Sequence, residues 1–441
     1  MLFLSIDFGT SAVKLSVLDE KGVIKCQSTQ TYPYIVLPGE KVELSPERLL
    51  SALCTAASQL DPCALSRISF ICYDTFSPSL VFMDKNGELV YPNIITHLDR
   101  RSRAQSEYIQ KAIGKDTYLK IAGIYPFTGG CSAMTLLWFQ ENEPEVLRRV
   151  YKIGHLTTFL HKKLTGLWMI DLVNASMLGL YETTSQTGWS AQLLSEFHMN
   201  PDWFPDIHVP GTLYGTLLPE MALKLGIKPG IPVAVGTNDV ASAQMGAHNL
   251  HSGQMMNTAG SSEMISILTD RPIPDPHYYL RNAAIPGLWQ IYATTAGGFA
   301  LDWYRKQFCR EIPREEFYTH YLEQTLKTQV DRSGVSFAPY LTGDRQSLTP
   351  KTASWHGLTL STTREEMLYA MLRSMQGVLY DTVELAKNVI PLDNVIKISG
   401  GMVTPSYLKL KEASFPGYQF QRVDHCPLLG NAALVAYQNQ L

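Results

Sequence analysis

Asp7 stands two residues ahead of a Gly9-Thr10-Ser11 turn, and Lys14 follows three residues after it. Glycine in such a turn admits an anionic oxygen to the backbone N–H groups, because no Cβ blocks the approach, and the hydroxyls add donors. A carboxylate at the base of the turn suits Mg²⁺, which takes one or two carboxylates and fills its shell with waters and phosphate oxygens. A second polar turn, Gly260-Ser261-Ser262, repeats the pattern. Together the two suggest a split cradle for a nucleoside triphosphate, whereas either one alone reads as a hairpin turn satisfying its own backbone.

Gly236-Thr237-Asn238-Asp239 follows the apolar run Val233-Ala-Val235 and leads into small residues, Val240 to Gly246. A carboxylate at the carboxyl end of a strand, where α/β sheets place ligands, can take the proton of a hydroxyl that attacks a phosphoryl group. The competing reading makes Asp239 a helix N-cap. Ile398-Ser399-Gly400-Gly401 is a third strand-to-glycine junction, open to a flat base or a phosphate. Gly297-Gly298, ahead of a helix at Phe299–Trp303, is a fourth. Each is equally an αL turn.

These residues need elements to carry them. Leu2, Leu4 and Ile6 alternate with Phe3 and Ser5, the chain turns at Asp7–Ser11, and Val13, Leu15 and Val17 resume. This is strand, tight turn, strand, which differs from the strand-to-helix glycine loops of dinucleotide folds and P-loops. The same pattern returns from Gln254 through Ala259-Gly260-Ser261-Ser262 to Leu268, with Thr258 answering Asp7. The chain therefore reads as two related α/β halves, residues 1–230 and 231–441, facing each other across one ligand, with the break at the turn formers Lys228-Pro-Gly-Ile-Pro232. Ser45-Pro46 opens one helix as N-cap and N1. Thr363-Arg-Glu-Glu366 opens another as a capping box, followed by a stripe of Leu368, Met371, Leu372, Met375, Leu379, Val383 and Ala386 that reads as core.

With 441 residues, 45% of them hydrophobic and 17% charged, the chain has the composition of a globular protein of two or three domains. Its 37 Lys+Arg against 40 Asp+Glu give no basic footprint, so neither nucleic acid nor an anionic membrane surface is the expected partner. Seven scattered cysteines without CxxC spacing point to reduced thiols in a cytoplasm. The apolar start meets Asp7 at once with no basic leader, so no secretion signal is expected. No apolar run reaches the length of a membrane span. His248 and His251 lack a third ligand for zinc, and Asp424-His425-Cys426 reads as a loop.

In this order, Asp7-Phe-Gly-Thr-Ser11 with Lys14, Gly236-Thr-Asn-Asp239, Gly260-Ser-Ser262, Pro339-Tyr-Leu-Thr-Gly-Asp-Arg345 and Ser399-Gly-Gly401 resemble the FGGY carbohydrate kinases. That family belongs to the actin, hexokinase and heat-shock-chaperone ATPase superfamily. Asp99-Arg-Arg101, Leu137-Trp138, Leu164-Thr-Gly166, Asn174-Ala-Ser176 and Leu429-Gly430 extend the resemblance over the whole chain. It implies an α/β fold of two actin-like (ribonuclease H-like) domains with a catalytic cleft between them. It also implies an ATP-dependent, xylulokinase-like transfer of phosphate to a ketose or polyol.

By position, the resemblance makes Asp239 the general base and puts Asp7, with Asp239, at Mg²⁺. Gly9, Thr10, Ser11, Lys14, Gly260, Ser261 and Ser262 fall at the phosphates of ATP, and Gly297, Gly400, Gly401 and Met402 at the adenosine. Asp74, Thr75, Phe76, Asp99 and Arg101 fall on the sugar side, Arg101 equally as an ion-pair partner of Asp99. Phe76-Ser-Pro-Ser79 replaces the Gln-Met-His-Gly of many pentulose kinases, while Asp74-Thr-Phe76 is similar to the Asp-Thr-Trp of rhamnulose kinases. His97 stands in place of a frequent Trp, and Met402 in place of a third glycine. A kinase-like sugar sensor with little turnover is the alternative, and a bare ATPase of the chaperone or actin type is a third. The expected partner is a small-molecule sugar or polyol, with a homodimer left open.

Overall fold

The computed structural model describes residues 1–328, 334–341, 348 and 351–440. The chain forms two compact units. The first comprises Met1–Leu250, Asp270–Gln290 and Cys426–Leu441, and the second His251–Thr269 and Ile291–His425.

The first unit is built on a seven-stranded sheet. Its order is Leu213–Thr216, Pro232–Ala234, Phe70–Thr75, Leu2–Phe8, Ala12–Asp19 and Ile24–Thr31, with Thr237–Asn238 also pairing to Phe70–Thr75. Leu2–Phe8 is buried along its whole length, as a strand covered on both faces must be. It runs antiparallel to Ala12–Asp19 through the expected tight turn and parallel to Phe70–Thr75. The helix Pro46–Ser58 covers one face. Ser45 caps it by accepting from the Arg48 amide, and Leu49, Leu53, Ala56 and Ala57 enter the same core as Leu4, Ile6, Leu15 and Val17.

Pro232–Ala234, expected to open the second half, instead pairs with Phe70–Thr75, with Val233 opposite Ile71. An apolar strand gains most where both faces are covered, and the first sheet offers that place. The first unit thus continues through the helix Asp239–Gly246 and regains the chain at its end as the helix Cys426–Asn439.

In the second unit Met255–Ala259 and Glu263–Thr269 form the second hairpin, and Met255–Ala259 lies parallel to Val395–Ser399. Gln419–Arg422 adds a further parallel strand. The helix Arg364–Lys387 begins with the expected capping box of Thr363 and Glu366. Its stripe from Leu368 to Ala386 is buried, and Met371, Leu372 and Met375 pack with Ile398 and Tyr407. No described helix is long and apolar enough to cross a membrane.

Candidate functional site

The register of the first sheet sets one row of side chains. Lys14 stands opposite Asp7, Asp7 opposite Asp74, and Asp74 opposite Thr237. Residues directly opposite on neighbouring strands share a face. Lys14 Nζ is 3.2 Å from Asp7 Oδ2. The attraction of Asp7 raises the lysine pKa against the cost of burial, and Asp74 and Asp239 add to it.

Asp239 is the first residue of its helix. Asn238 takes the N-cap, accepting from the amides of Val240 and Ala241, so the capping alternative falls to the neighbour. The Val240 amide and Asn238 Nδ2 each donate to Asp239 Oδ1 at 2.8 Å. Among the described residues Oδ2 has no donor. Burial, then the Asp7 carboxylate, push the Asp239 pKa up to about 7, against lowering by Val240, Asn238 and Lys14. Such a carboxyl changes charge near neutrality, as a general base should.

Asp74 is fully buried. Its Oδ2 accepts from Asn431 Nδ2 at 2.6 Å. Burial raises its pKa well above the carboxylate range, followed by Asp7 and Asp239, while Asn431 opposes them. Asp74 is thus closed off from solvent, opposite Asp7 in the sheet, and held by Asn431. Thr75 and Phe76 are likewise buried, and Thr75 Oγ1 has no hydrogen-bond partner among the described residues.

Asp7 heads a turn closed by the Gly9 amide donating to the Ala12 carbonyl at 3.0 Å. Thr10 is partly exposed and Ser11 exposed. Two tyrosines escaped the sequence reading. The Tyr32 hydroxyl donates to the Gly9 carbonyl and pins the turn. The Tyr34 hydroxyl is buried with no partner among the described residues, and the charge of Asp239 joins burial in raising its pKa. A tyrosine in a loop carries no motif, and only the pair's spacing after a strand end marks it.

The second hairpin closes more tightly, the Gly260 amide donating to the Ser262 carbonyl two residues on at 3.1 Å, where Gly9 reaches three residues on. The helix Gly297–Phe308 starts on it, the amides of Gly298 and Phe299 donating to the carbonyls of Gly260 and Ser261. Gly297 has φ +49°, and a Cβ there would lie 2.6 Å from the Glu263 nitrogen, so close packing demands this glycine. Gly400, at φ +126°, passes so near Ala259 that a Cβ would meet its carbonyl oxygen at 2.2 Å, whereas Gly401 faces open space. Met402 donates its amide to the same Ala259 carbonyl and packs on the unit's core.

Asp99 and Arg101 are committed to an internal ion network, the alternative that their spacing allowed. Arg101 Nε and Nη2 donate to Asp99 at 2.9 and 2.7 Å, Nη2 also reaches Glu43, and Nη1 donates to Tyr91. Asp99 takes a further bond from the Val42 amide at 2.8 Å. A guanidinium so occupied has little left for a sugar. Asn174, in a glycosylation sequon, is fully buried, donating to Asp171. Asp171 in turn accepts from Thr237, steadying the approach to Asp239.

Asp7 and Asp239 offer the hard oxygen donors that Mg²⁺ prefers, and their mutual repulsion is what a cation would relieve. Among the described residues no group of three or more His, Cys, Asp or Glu gathers as a self-sufficient metal cage. Thr342–Arg345 of the Pro339–Arg345 motif lie outside the described residues.

Residues 2–246 match the FGGY family of carbohydrate kinases, N-terminal domain, and residues 255–438 match its C-terminal domain. A gluconokinase of Bacillus subtilis is 26% identical over 87% of this chain and 76% of its own length. A xylulose kinase of the same organism is 24% identical over 98% of this chain and 87% of its own. The solved structure of ligand-bound xylulose kinase from Lactobacillus acidophilus superposes with a TM-score of 0.87 at 21% identity, covering 100% of this chain and 89% of that one.

Proposed function

Since the chain belongs to the FGGY family of carbohydrate kinases, ATP-dependent phosphotransferases of two-domain, actin-like fold that act on small-molecule sugars, we propose that it phosphorylates a pentulose or deoxyhexulose with Asp239 as general base. The observation that carries this reading is the Asp239 carboxyl. It opens a helix, keeps Oδ2 unpaired, and titrates near pH 7 beside the Lys14–Asp7–Asp74 row. A base poised there accepts the proton of a primary hydroxyl as its oxygen bonds the γ-phosphorus and the bond to the bridging oxygen breaks, releasing ADP, and the remaining work is positioning and charge neutralisation.

Asp7, with Asp239, would hold Mg²⁺, which supplies charge neutralisation at the phosphates. Gly9, Thr10 and Ser11 of one turn, Lys14 of the strand that follows it, and Gly260, Ser261 and Ser262 of the other turn are assigned to the phosphates. Gly400, Gly401 and Met402 are assigned to the adenosine, the open space beside Gly401 favouring this. Gly297 would serve that side indirectly, by seating its helix. The Tyr34 hydroxyl is the added candidate for the sugar. Seven scattered cysteines without CxxC spacing suit a reducing compartment such as the cytoplasm.

The test is ADP release from MgATP across D-xylulose, D-ribulose, L-ribulose, L-rhamnulose, L-fuculose, glycerol, gluconate and erythritol, with Asp239→Asn as control. Stimulation by a pentulose or deoxyhexulose, lost in the variant while nucleotide still binds, is the expected result. Stimulation by gluconate or glycerol alone would overturn the substrate class, and near-normal turnover by Asp239→Asn would overturn the base.

A further inference from the structure

The helix Cys426–Asn439 meets the helix Asp239–Gly246 at backbone distance. A Cβ on Gly246 would stand 1.9 Å from the Cys426 carbonyl oxygen, and one on Gly430 would stand 1.7 Å from that of Ser242. Only glycine permits such an approach. The next residue, Asn431, is 2% exposed beside the small Ala432 and Ala433. An alanine would fill that contact at less desolvation cost, so a buried carboxamide persists there only with its polar atoms engaged.

They are engaged with three elements. Nδ2 lies 2.6 Å from Asp74 Oδ2, 3.2 Å from Ser5 Oγ and 3.3 Å from the Ile6 carbonyl oxygen, so its two hydrogens are shared between the strands Phe70–Thr75 and Leu2–Phe8. Oδ1 lies 2.9 Å from Ser242 Oγ, one turn along the helix that Asp239 opens. Ser5 completes the link by donating to the Leu428 carbonyl at 2.8 Å. A single side chain thus touches the strand that carries Asp7, the strand that presents Asp74, and the helix headed by Asp239.

We propose that Asn431 is a positioning residue for phosphoryl transfer, fixing the separation of Asp7 and Asp239 by tying the Asp7 strand and Asp74 to the Asp239 helix. The inference rests on the kinase reading above. Transfer needs these carboxylates held within about half an ångström of the productive arrangement. The two residues sit on elements far apart in the chain, and the Asn431 carboxamide spans them directly.

The sharpest variant is Asn431→Asp, which keeps shape and the acceptor but removes the donors and sets a carboxylate against Asp74. Its kcat should fall about 100-fold, with KM for acceptor and ATP changed less than about threefold. Asp74→Asn in the same chain reverses donor and acceptor, and should recover about tenfold of that loss. Asn431→Ala serves should the acidic variant fail to fold, and all variants are assayed well below their own Tm. Hydrogen exchange followed by mass spectrometry should rise at residues 7–11 and 239–242 and stay unchanged in the second hairpin. A lower Tm with kcat within about twofold of wild type and no local gain in exchange would overturn the proposal. Turnover surviving in Asp239→Asn would instead overturn the kinase reading, and the exchange result would still decide whether Asn431 positions these elements.

Discussion

The chain folds one hairpin twice and arms the copies differently. In the first unit the strand before the turn presents Asp7 between Lys14 and Asp74. In the second, Thr258 holds the equivalent place between Met264 and Ser399. Each turn is closed by its glycine amide, Gly9 donating to the carbonyl three residues on and Gly260 to the carbonyl two residues on. Charge is where they part. The first unit gathers its carboxylates at the turn. The second buries its charge one residue later, where Glu263 pairs with Lys411 and accepts from Tyr407 inside the core. Under the kinase reading both turns meet phosphate, but only the first hairpin also carries a carboxylate for the metal, so equivalent substitutions should fail in different ways.

The largest difference is expected at the heads of the two strands. Asp7→Asn keeps the shape and removes the charge that faces Lys14, and kcat should fall about 100- to 1,000-fold, as for loss of a preorganised electrostatic contact. Tm should change little or rise, because Asp74 then no longer confronts a carboxylate. A loss below about threefold, measured with saturating MgATP, would mean that the two hairpins are not divided by charge.

Next in size is the buried pair of the second unit. Lys411→Met strands the Glu263 carboxylate in the core and should cost about 3–5 kcal/mol of stability, read by chemical denaturation. Adding Glu263→Leu should restore most of it, since replacing both ions removes the desolvation cost as well. Because Glu263 follows Ser262 directly, the single variant should also raise KM for ATP. A cost below about 1 kcal/mol would show that water reaches the pair.

How much of this was legible follows the same division. Local signals gave the hairpins, the caps at Ser45 and Thr363, and the core stripe of Arg364–Lys387, because turn chemistry and helical spacing are written in adjacent residues. The identity of the cap at Asp239 was a matter of one residue, and Asn238 took it. Pairing across long separations was not legible. Pro232–Ala234 is a short apolar strand with no address in its composition, and its place beside Phe70–Thr75 follows from which sheet could bury it. Asp99 and Arg101 carried their ion-pair alternative in their spacing, but Glu43, which completes the network with Tyr91, is 58 residues from Arg101. Asn431 gave no signal at all, since its meaning lies in contacts with strands at the other end of the chain.

The acid limb separates the units by titration. Asp239 has its folded pKa raised to about 7. As a base it works deprotonated, so kcat/KM should fall about tenfold per pH unit below that value and level off above it. The stability consequence has the opposite direction. The unfolded carboxyl releases its proton near pH 4, so between about pH 4 and 7 the folded state holds a proton that the unfolded state has lost, and ligand-free stability declines as pH rises through that window. Asp239→Asn should flatten this decline. A limb unchanged in position when the second unit's pair is removed, and a flatter stability profile in Asp239→Asn, would place the titration in the first unit. A limb near pH 4 would remove Asp239 from it.

The smallest effect is expected at Thr258, the residue that stands where the first unit has Asp7. Its Oγ1 is buried without a hydrogen-bond partner among the described residues. Replacing an unsatisfied hydroxyl with a methyl of the same shape forfeits no bond within the chain, so Thr258→Val should leave Tm unchanged or raise it by a degree or two, about 0.5 kcal/mol or less in stability. Its kinetic outcome then divides two roles. If the second hairpin contributes backbone alone, kcat and KM for ATP should both stay within about threefold of wild type. If instead the lone hydroxyl is kept for a phosphate oxygen, KM for ATP should rise about tenfold at constant stability, the value of one lost hydrogen bond to a charged group. The second result would make Thr258 the neutral counterpart of Asp7, a binding group in the position where the other hairpin keeps a charge.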